Sequence, residues 1–137
     1  FSISFYTKTI TLGNEVIIEI NSNSWFSIQS DKWRYVFNVW WWSINKQTQT
    51  SIKPYNNSNW NHLVLMMKNW VWVIYVNWVK DTIVDTVYWI PIFNFRNLIL
   101  WSRYGNVWYN WIVDDIKIYN RALSDQEIAQ QAKIAGF

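Results

Sequence analysis

The sequence has no cysteine, and only 3 glycines and 2 prolines among 137 residues. Without cysteine the chain can form neither a disulfide framework nor a thiolate metal site. The formal net charge of +3 is mild and dispersed, with no cluster of Lys and Arg, so the sequence does not indicate nucleic-acid binding. Asn, Lys or Asp interrupts the apolar runs before they reach membrane-spanning length, so we expect no membrane insertion.

Tryptophan is abundant where glycine is scarce. The chain contains 13 Trp, whereas a chain of this length ordinarily holds about 9 or 10 Gly. Asn69-Trp70, Asn77-Trp78 and Asn110-Trp111 lie at the ends of apolar runs, where Asn-Gly is the favoured two-residue hairpin turn. Three consecutive tryptophans at 40–42 follow a strand-like segment, where a turn is again expected. Such turns need positive φ, which glycine adopts readily and a bulky side chain resists.

These positions suggest the hypothesis that many of the tryptophans stand for glycine. UGA is read as tryptophan in some genetic codes and as glycine in others, so a glycine-reading gene translated with the tryptophan table would show this pattern. The alternative is a genuinely tryptophan-rich protein. The candidate glycine positions are Trp25, Trp40, Trp41, Trp42, Trp70, Trp78, Trp89, Trp101, Trp108 and Trp111.

The two-residue period of β-strands runs through most of the chain. In the first segment Phe1, Ile3 and Phe5 alternate with Ser2 and Ser4, which is typical of a half-buried strand. Strands are predicted at residues 1–10, 15–20, 25–30, 33–39, 43–52, 60–68, 71–77, 79–84, 98–102 and 112–119, with turns at 13–14, 30–31 and the Asn-Trp pairs.

Only the C-terminal end has a helical pattern. Ser124 and Glu127 match a capping box, in which the Ser hydroxyl accepts the amide three residues on and the Glu side chain reaches back. Ile128, Ala132 and Ala135 then form one apolar stripe. Many short antiparallel strands with one short C-terminal helix predict an all-β fold, a two-sheet antiparallel jelly-roll sandwich.

Several segments resemble the laminin G-like, concanavalin A-like lectin/glucanase jelly-roll domains. Residues 113–124 (Val-Asp-Asp-Ile-Lys-Ile-Tyr-Asn-Arg-Ala-Leu-Ser) are similar to the family's closing strand and helix entry. Residues 60–64 resemble its Trp-x-His-Val strand opening, and residues 75–78 its Tyr-Val-Asn-Gly turn. Residues 100–102 fall where Ile-Gly-Ser is expected. The departures are mostly Trp in place of Gly, whereas Trp60 matches a family tryptophan and is expected to be genuine.

The resemblance implies a non-catalytic carbohydrate-binding or adhesion module of a secreted or cell-surface bacterial protein. Its expected partners are a glycan or an extracellular protein. We expect residues 1–137 to form a single domain, part of a larger multidomain chain and lacking the first strand, because Phe1 already lies inside a strand pattern. The alternatives are a structural spacer without its own ligand and, less favoured, a glycoside hydrolase.

The loop at 103–110 is the predicted binding surface, because it combines hydrogen-bonding groups with two rings on which sugars can stack. Its candidate ligand-binding residues are Arg103, Tyr104, Asn106 and Tyr109. If the tryptophans are genuine, those at 40–42, 101 and 108 extend this aromatic surface. Asp114 and Asp115 occupy the position of an acidic pair in the family that the chain resembles. Asp114 is a candidate Ca²⁺ ligand, and loop carbonyls would complete the six to eight oxygens that calcium takes.

Two carboxylates that converge on one bond would indicate a glycoside hydrolase. Glu15 and Glu19 are an even distance apart on one predicted strand and are expected to share a face. Four residues nevertheless span about 13 Å, too far for the roughly 5 Å pair of a retaining glycosidase. The neighbours Asp114 and Asp115 are expected to point to opposite faces of their strand. His62, the single histidine, is interpreted as structural because no Ser or Cys nucleophile pattern accompanies it.

Overall fold

The structure, a computed structural model, describes residues 1–9, 14–21, 25–31, 34–41, 44–49, 59–69, 71–84, 97–100 and 111–134. Within these residues, no helix is long and apolar enough to cross a membrane. The elements are β1 (Ser2–Thr9), β2 (Asn14–Asn21), β3 (Trp25–Asp31), β4 (Arg34–Trp41), β5 (Ile44–Gln49), β6 (Trp60–Lys68), β7 (Val71–Val76), β8 (Val79–Val84), β9 (Asn97–Leu100), β10 (Trp111–Tyr119) and α1 (Asp125–Ile134).

The described strands form two five-stranded sheets. Each strand predicted from the sequence corresponds to one observed strand. Contacts between Cα atoms divide the chain into two compact units. The first unit spans Phe1–Lys8, Trp60–Ile90 and Ile112–Phe137, and contains the sheet ordered β10-β1-β6-β7-β8 together with α1. The second unit spans Thr9–Asn59 and Pro91–Trp111, and contains the sheet ordered β5-β4-β3-β2-β9.

β1 is buried on both of its sides, although its alternating sequence predicted a half-buried strand. Ile3 and Phe5 lie on one side and are fully buried. Ser2 lies on the other side, and it is buried because the segment that leads into α1 covers it. Ser2 Oγ donates a hydrogen bond to the carbonyl oxygen of Arg121 at 2.9 Å and accepts one from the amide of Leu123 at 3.1 Å. A small hydroxyl side chain therefore attaches the C-terminal segment to the sheet.

The core of the first unit lies partly between α1 and its sheet. The buried side chains of this cluster come from β6, β7, α1 and the segment before α1: Val64, Met66, Val73, Tyr75, Leu123 and Ile128. Alternate residues of the same strands, such as Leu65 and Ile74, are also buried. Since both sides of β6 and β7 are buried, these strands have nearly continuous apolar runs.

The capping box predicted at the start of α1 is present. Ser124 Oγ accepts a hydrogen bond from the Glu127 amide at 3.2 Å, and Glu127 Oε2 accepts one from the Ser124 amide at 2.8 Å. Arg121 also donates from Nη1 to Glu127 Oε2 at 2.9 Å. The Arg121 bond, followed by those from Ser124, lowers the pKa of Glu127 to about 2. Ile128 and Ala132 of the predicted apolar stripe are buried.

The turn between β7 and β8 is Asn77-Trp78, as predicted, and its two residues have φ of 49° and 61°. Two successive left-handed residues are the pattern of the type I′ turn, whose twist matches that of a two-residue hairpin. Asn tolerates this conformation, whereas Trp is held in a region that favours glycine. In the predicted turn between β6 and β7, Asn69 also has positive φ, 51°.

Asn77 is bound to β6 through its backbone and its side chain. Its amide donates to the carbonyl oxygen of His62 at 2.8 Å, and its Oδ1 accepts from the His62 amide at 2.8 Å. Its Nδ2 donates to Asn61 Oδ1 at 3.1 Å. These three bonds fix the turn in its left-handed conformation, and Trp78 is held at the tip of the hairpin with 44% of its surface exposed.

Three predicted turn positions are wrong. β4 continues through Trp40 and Trp41, which pair with β5, so the turn that was expected at 40–42 does not begin there. Asp31 ends β3 and pairs with Arg34, although a turn was predicted at 30–31. Trp111 is the first residue of β10 instead of a turn residue. At the first two positions cross-strand pairing continues the strand beyond the point that local sequence indicates.

Trp25, another candidate glycine position, opens β3 and pairs with Trp40. Trp60, expected to be genuine, opens β6 opposite Lys8 and is half-buried. Several predictions concern positions outside the described residues: Trp42, Trp70, Trp89, Trp101, Trp108, Asn110, Ala135 and the turn at Gly13.

Replacing Trp78 with Gly is expected to raise the free energy of unfolding by about 1 kcal/mol, because glycine occupies the left-handed region without the steric penalty of Trp. The ring is 44% exposed, so little burial is lost. Urea denaturation of the Trp78→Gly variant beside the parent protein measures the change. An equal or lower midpoint at unchanged slope would contradict strain at this turn.

Candidate functional site

The predicted binding loop connects β9 to β10. Its candidate residues Arg103, Tyr104, Asn106 and Tyr109 all lie outside the described residues, and their role stays a prediction. The strands that flank the loop are described: β9 pairs antiparallel with β2, and β10 is an edge strand of its sheet.

Asp114 and Asp115 lie in an irregular part of β10. Asp115 has a φ of 51°, and its amide donates to Asp114 Oδ1 at 2.8 Å. The regular alternation that was expected to separate their side chains is therefore interrupted at Asp115, and both residues are exposed. Asp115 forms an exposed ion pair with Lys117, which raises the pKa of the Lys117 ammonium.

Asp114 is the predicted calcium ligand. One of its carboxylate oxygens already accepts the Asp115 amide. Within the part of the chain that the structure describes, no group of three or more His, Cys, Asp or Glu side chains could hold a metal ion. Any calcium site at Asp114 would therefore need further oxygens from backbone carbonyls or from residues beyond the described ranges.

Glu15 and Glu19 do not lie on an uninterrupted strand. Glu15 pairs with Ser30 and Glu19 with Ser27, and the register shifts between Val16 and Ile18. Such a shift marks a β-bulge, in which an extra residue breaks the alternation of the strand. The prediction of a shared face assumed regular alternation across the pair, and this register shift interrupts that alternation.

His62 lies fully buried on β6 at the centre of a polar network that joins β1, β10 and α1. Its Nε2 is 2.8 Å from Ser4 Oγ, and that hydroxyl donates to Gln131 Oε1 at 2.7 Å. The rings of His62 and Tyr6 stack with centroids 4.6 Å apart. Gln131 donates from Nε2 to the Tyr119 hydroxyl at 3.0 Å, and its carbonyl oxygen accepts from the Tyr6 hydroxyl at 2.5 Å.

The contact between Ser4 and His62 does not have the arrangement of a nucleophile and its base. Since the Ser4 hydroxyl donates its proton to Gln131, His62 Nε2 is the donor toward Ser4 and has no free lone pair to take the serine proton. Burial lowers the pKa of His62 to about 4, so the imidazole is neutral at neutral pH. The network supports a structural role for His62.

The serine beside His62 was not predicted from the sequence. Ser4 is 58 residues away along the chain. It reaches the imidazole because β1 pairs with β6 in a register that places Tyr6 opposite His62. No local sequence motif indicates such a contact, since only the pairing of strands that are distant in the sequence creates it.

The Laminin_G_3 family model, described as the concanavalin A-like lectin/glucanases superfamily, matches residues 1–129. The chain belongs to this family. The predicted fold class, an all-β antiparallel jelly roll with one C-terminal helix, is confirmed. A comparison with curated protein sequences found no match.

Solved structures with a similar fold include binding domains of bacterial toxins. The binding domain of Paraclostridial mosquitocidal protein 1 aligns with a TM-score of 0.77 and 18% identity, over 98% of this chain and 37% of that chain. A botulinum neurotoxin type C structure, concerned with cell entry through two ganglioside molecules, aligns with a TM-score of 0.75 and 16% identity, over 99% of this chain and 36% of that one.

A third similar structure is the binding domain of botulinum neurotoxin DC in complex with rat synaptotagmin II. It aligns with a TM-score of 0.73 and 16% identity, over 99% of this chain and 36% of its own. The chain thus spans little more than a third of the length of these neighbours. At this level of identity, the likeness shows a shared fold alone.

Proposed function

We propose that this chain is a non-catalytic binding module that recognises a glycan or an extracellular protein, within a larger secreted or cell-surface protein. The observation that carries the proposal is the alignment of nearly the whole chain with toxin binding domains. Of these neighbours, one is described with gangliosides and another in complex with the protein synaptotagmin II. Both partner classes are therefore reasonable for this fold, while the fold alone does not select between them.

The loop that contains Arg103, Tyr104, Asn106 and Tyr109 is the proposed contact surface. Aromatic rings stack on the apolar faces of sugars, and a guanidinium and an amide can bind hydroxyl or carboxylate groups. Asp114 follows this loop at the start of β10, so calcium bound there would order the same region. These roles rest on residue chemistry and on the position of the loop between two strands.

A hydrolase requires two carboxyl groups that converge on one bond. The bulge in β2 removes the regular spacing that would relate Glu15 to Glu19. In the other described acidic pair, Asp114 is bonded to a neighbouring amide and Asp115 to Lys117. These observations favour binding over hydrolysis.

Glycan binding is tested by screening the protein on an array of neutral and sialylated oligosaccharides, including ganglioside headgroup glycans. Binding to the best glycan is then measured by biolayer interferometry, with and without calcium. The Arg103→Ala/Tyr104→Ala/Tyr109→Ala variant is expected to lose more than about tenfold in affinity, since each stacked ring or charged hydrogen bond contributes about 1 kcal/mol.

The matched control is Gln126→Ala/Gln130→Ala/Lys133→Ala, which alters three exposed positions of α1 and should retain full affinity. Equal affinity in both variants would place the site outside the loop. A protein that binds neither the array nor an extracellular protein would be a structural spacer, and release of reducing sugar would establish a hydrolase. A calcium effect that persists in Asp114→Asn would remove Asp114 as the metal ligand.

We further propose that Trp78 and a subset of the other candidate positions stand for glycine. The positive φ of Trp78 and of the preceding Asn77 supports this hypothesis, because Asn-Gly is the preferred pair for such a turn. The codons of the gene decide it. UGA at the candidate positions with UGG at Trp60 would establish the reassignment, whereas UGG throughout would make the tryptophans genuine and extend the aromatic binding surface.

A further inference from the structure

Gln131 attaches α1 to its sheet through three hydrogen bonds. Its side-chain oxygen accepts from Ser4 Oγ at 2.7 Å, its side-chain nitrogen donates to the Tyr119 hydroxyl at 3.0 Å, and its backbone oxygen accepts from the Tyr6 hydroxyl at 2.5 Å. The three partners come from β1 and β10. We call this set of bonds the Gln131 latch, because it fixes the second half of the helix to two strands at once.

His62 lies directly beneath the latch. It is 0% exposed, it stacks on Tyr6, and its Nε2 contacts the Ser4 hydroxyl that binds Gln131. Its Nδ1 is buried without a hydrogen-bond partner among the described residues. A neutral imidazole with its proton on Nε2 suits this site, since Nδ1 then needs no acceptor. A protonated imidazole has a second N–H that must find one.

We propose that protonation of His62 opens the Gln131 latch and releases α1 from its sheet in mildly acidic solution. The added charge and the new Nδ1 donor both require water, and the route to water is displacement of the helix that covers the ring. Release of α1 uncovers the apolar side chains of the cluster that Ile128 completes. The domain then presents an apolar surface that is closed at neutral pH. This inference is independent of the proposed glycan binding.

The groups that face His62 do not neutralise its positive charge. Ser4 and Gln131 are uncharged, although the Gln131 side chain offsets part of the fall that burial causes in the pKa of His62. Burial raises the pKa of Tyr6, so its hydroxyl is protonated. On β10, Lys117 disfavours the imidazolium and Asp115 favours it, and these two residues are paired with each other. No carboxylate among the described residues bonds to the imidazole directly.

The direction of the pH effect follows from the lowered pKa of His62. The ordinary value of 6.5 applies when α1 is open, and a value of about 4 applies when α1 is closed. The open state therefore binds a proton more readily, so opening is favoured as the pH falls from about 6.5 to about 4 and changes little outside that window. These two values correspond to a rise of about 25-fold in the open population between pH 7.4 and pH 5.

Hydrogen–deuterium exchange of the intact chain measures this opening. After correction for the pH dependence of the chemical exchange rate, amides of α1 are expected to lose about 25-fold in protection between pH 7.4 and pH 5. Amides of β6 and β7 should keep their protection. In the His62→Gln variant, which retains polar groups but does not titrate, α1 should exchange equally at both pH values.

Three results would overturn the proposal: protection of α1 that does not change with pH, the same change in His62→Gln, or simultaneous loss of protection in α1, β6 and β7.

If His62→Gln does not fold, the unmodified protein still provides a test, since it contains one histidine. Nuclear magnetic resonance of the labelled imidazole should show a proton on Nε2 and a pKa well below 6.5. A pKa at or above 6.5 would exclude the latch.

Discussion

The Trp72→Gly variant is expected to lose on the order of 4 kcal/mol in the free energy of unfolding. Trp72 is the second residue of β7, pairs with Met67 of β6 and Val84 of β8, and is 3% exposed. Removal of the indole leaves a large cavity, and glycine further weakens the interior of a strand. Urea denaturation, with the soluble fraction after expression as a second readout, measures the loss.

Trp78→Gly is the matched control, because the same substitution is made six positions later in the first unit. Trp78→Gly is expected to raise the free energy of unfolding, so the two variants should change this free energy in opposite directions. A Trp72→Gly variant as stable as the parent protein would mean that Trp72 is not a core residue. It would also place Trp72 among the positions that stand for glycine.

The Ile128→Ala variant is expected to lose about 2 to 4 kcal/mol, since a fully buried branched side chain is truncated and the site is enclosed by several elements. Ile128 is 0% exposed and joins the cluster with Val64, Met66 and Val73. A second contact holds the start of the same helix, where the Tyr75 hydroxyl donates to Asp125 Oδ1 at 2.7 Å. Thermal denaturation followed by circular dichroism measures the change.

Ile134→Ala provides the control within the same helix. Ile134 is 81% exposed, so its truncation should change stability by less than about 0.5 kcal/mol. Equal losses in the two variants would mean that the burial of Ile128 makes no contribution of its own, since alanine has the higher helix propensity and cannot cause a loss by propensity. They would contradict the packing of α1 against the sheet, on which the Gln131 latch also depends.

Elements with a strong local signal were predicted closely. The three consecutive strands β6, β7 and β8 begin within one residue of their predicted positions, because two Asn-Trp turns separate their apolar runs. The capping box of Ser124 and Glu127 places the start of α1 in the same way. In these cases the residues that define an element are neighbours along the chain.

Predictions failed where pairing with a neighbouring strand overrides the local pattern. β4 extends through Trp41 because Ile44 pairs with it, and the bulge in β2 breaks the expected relation between Glu15 and Glu19. Asp115 adopts a left-handed conformation inside β10, although its sequence context reads as a regular strand. Bulges and strand ends depend on the neighbouring strand, which a period-two pattern does not contain.

The sequence by itself determined the all-β class, the C-terminal helix, the lectin-like family and the left-handed turn at Asn77-Trp78. Each follows from short-range backbone preferences or from a contiguous motif. Only the tertiary structure decided that both sides of β1 are buried and that Ser4, His62 and Gln131 meet. The physical reason is that these residues come from β1, β6 and α1, and their contacts exist only after strand pairing and helix docking have brought distant segments together.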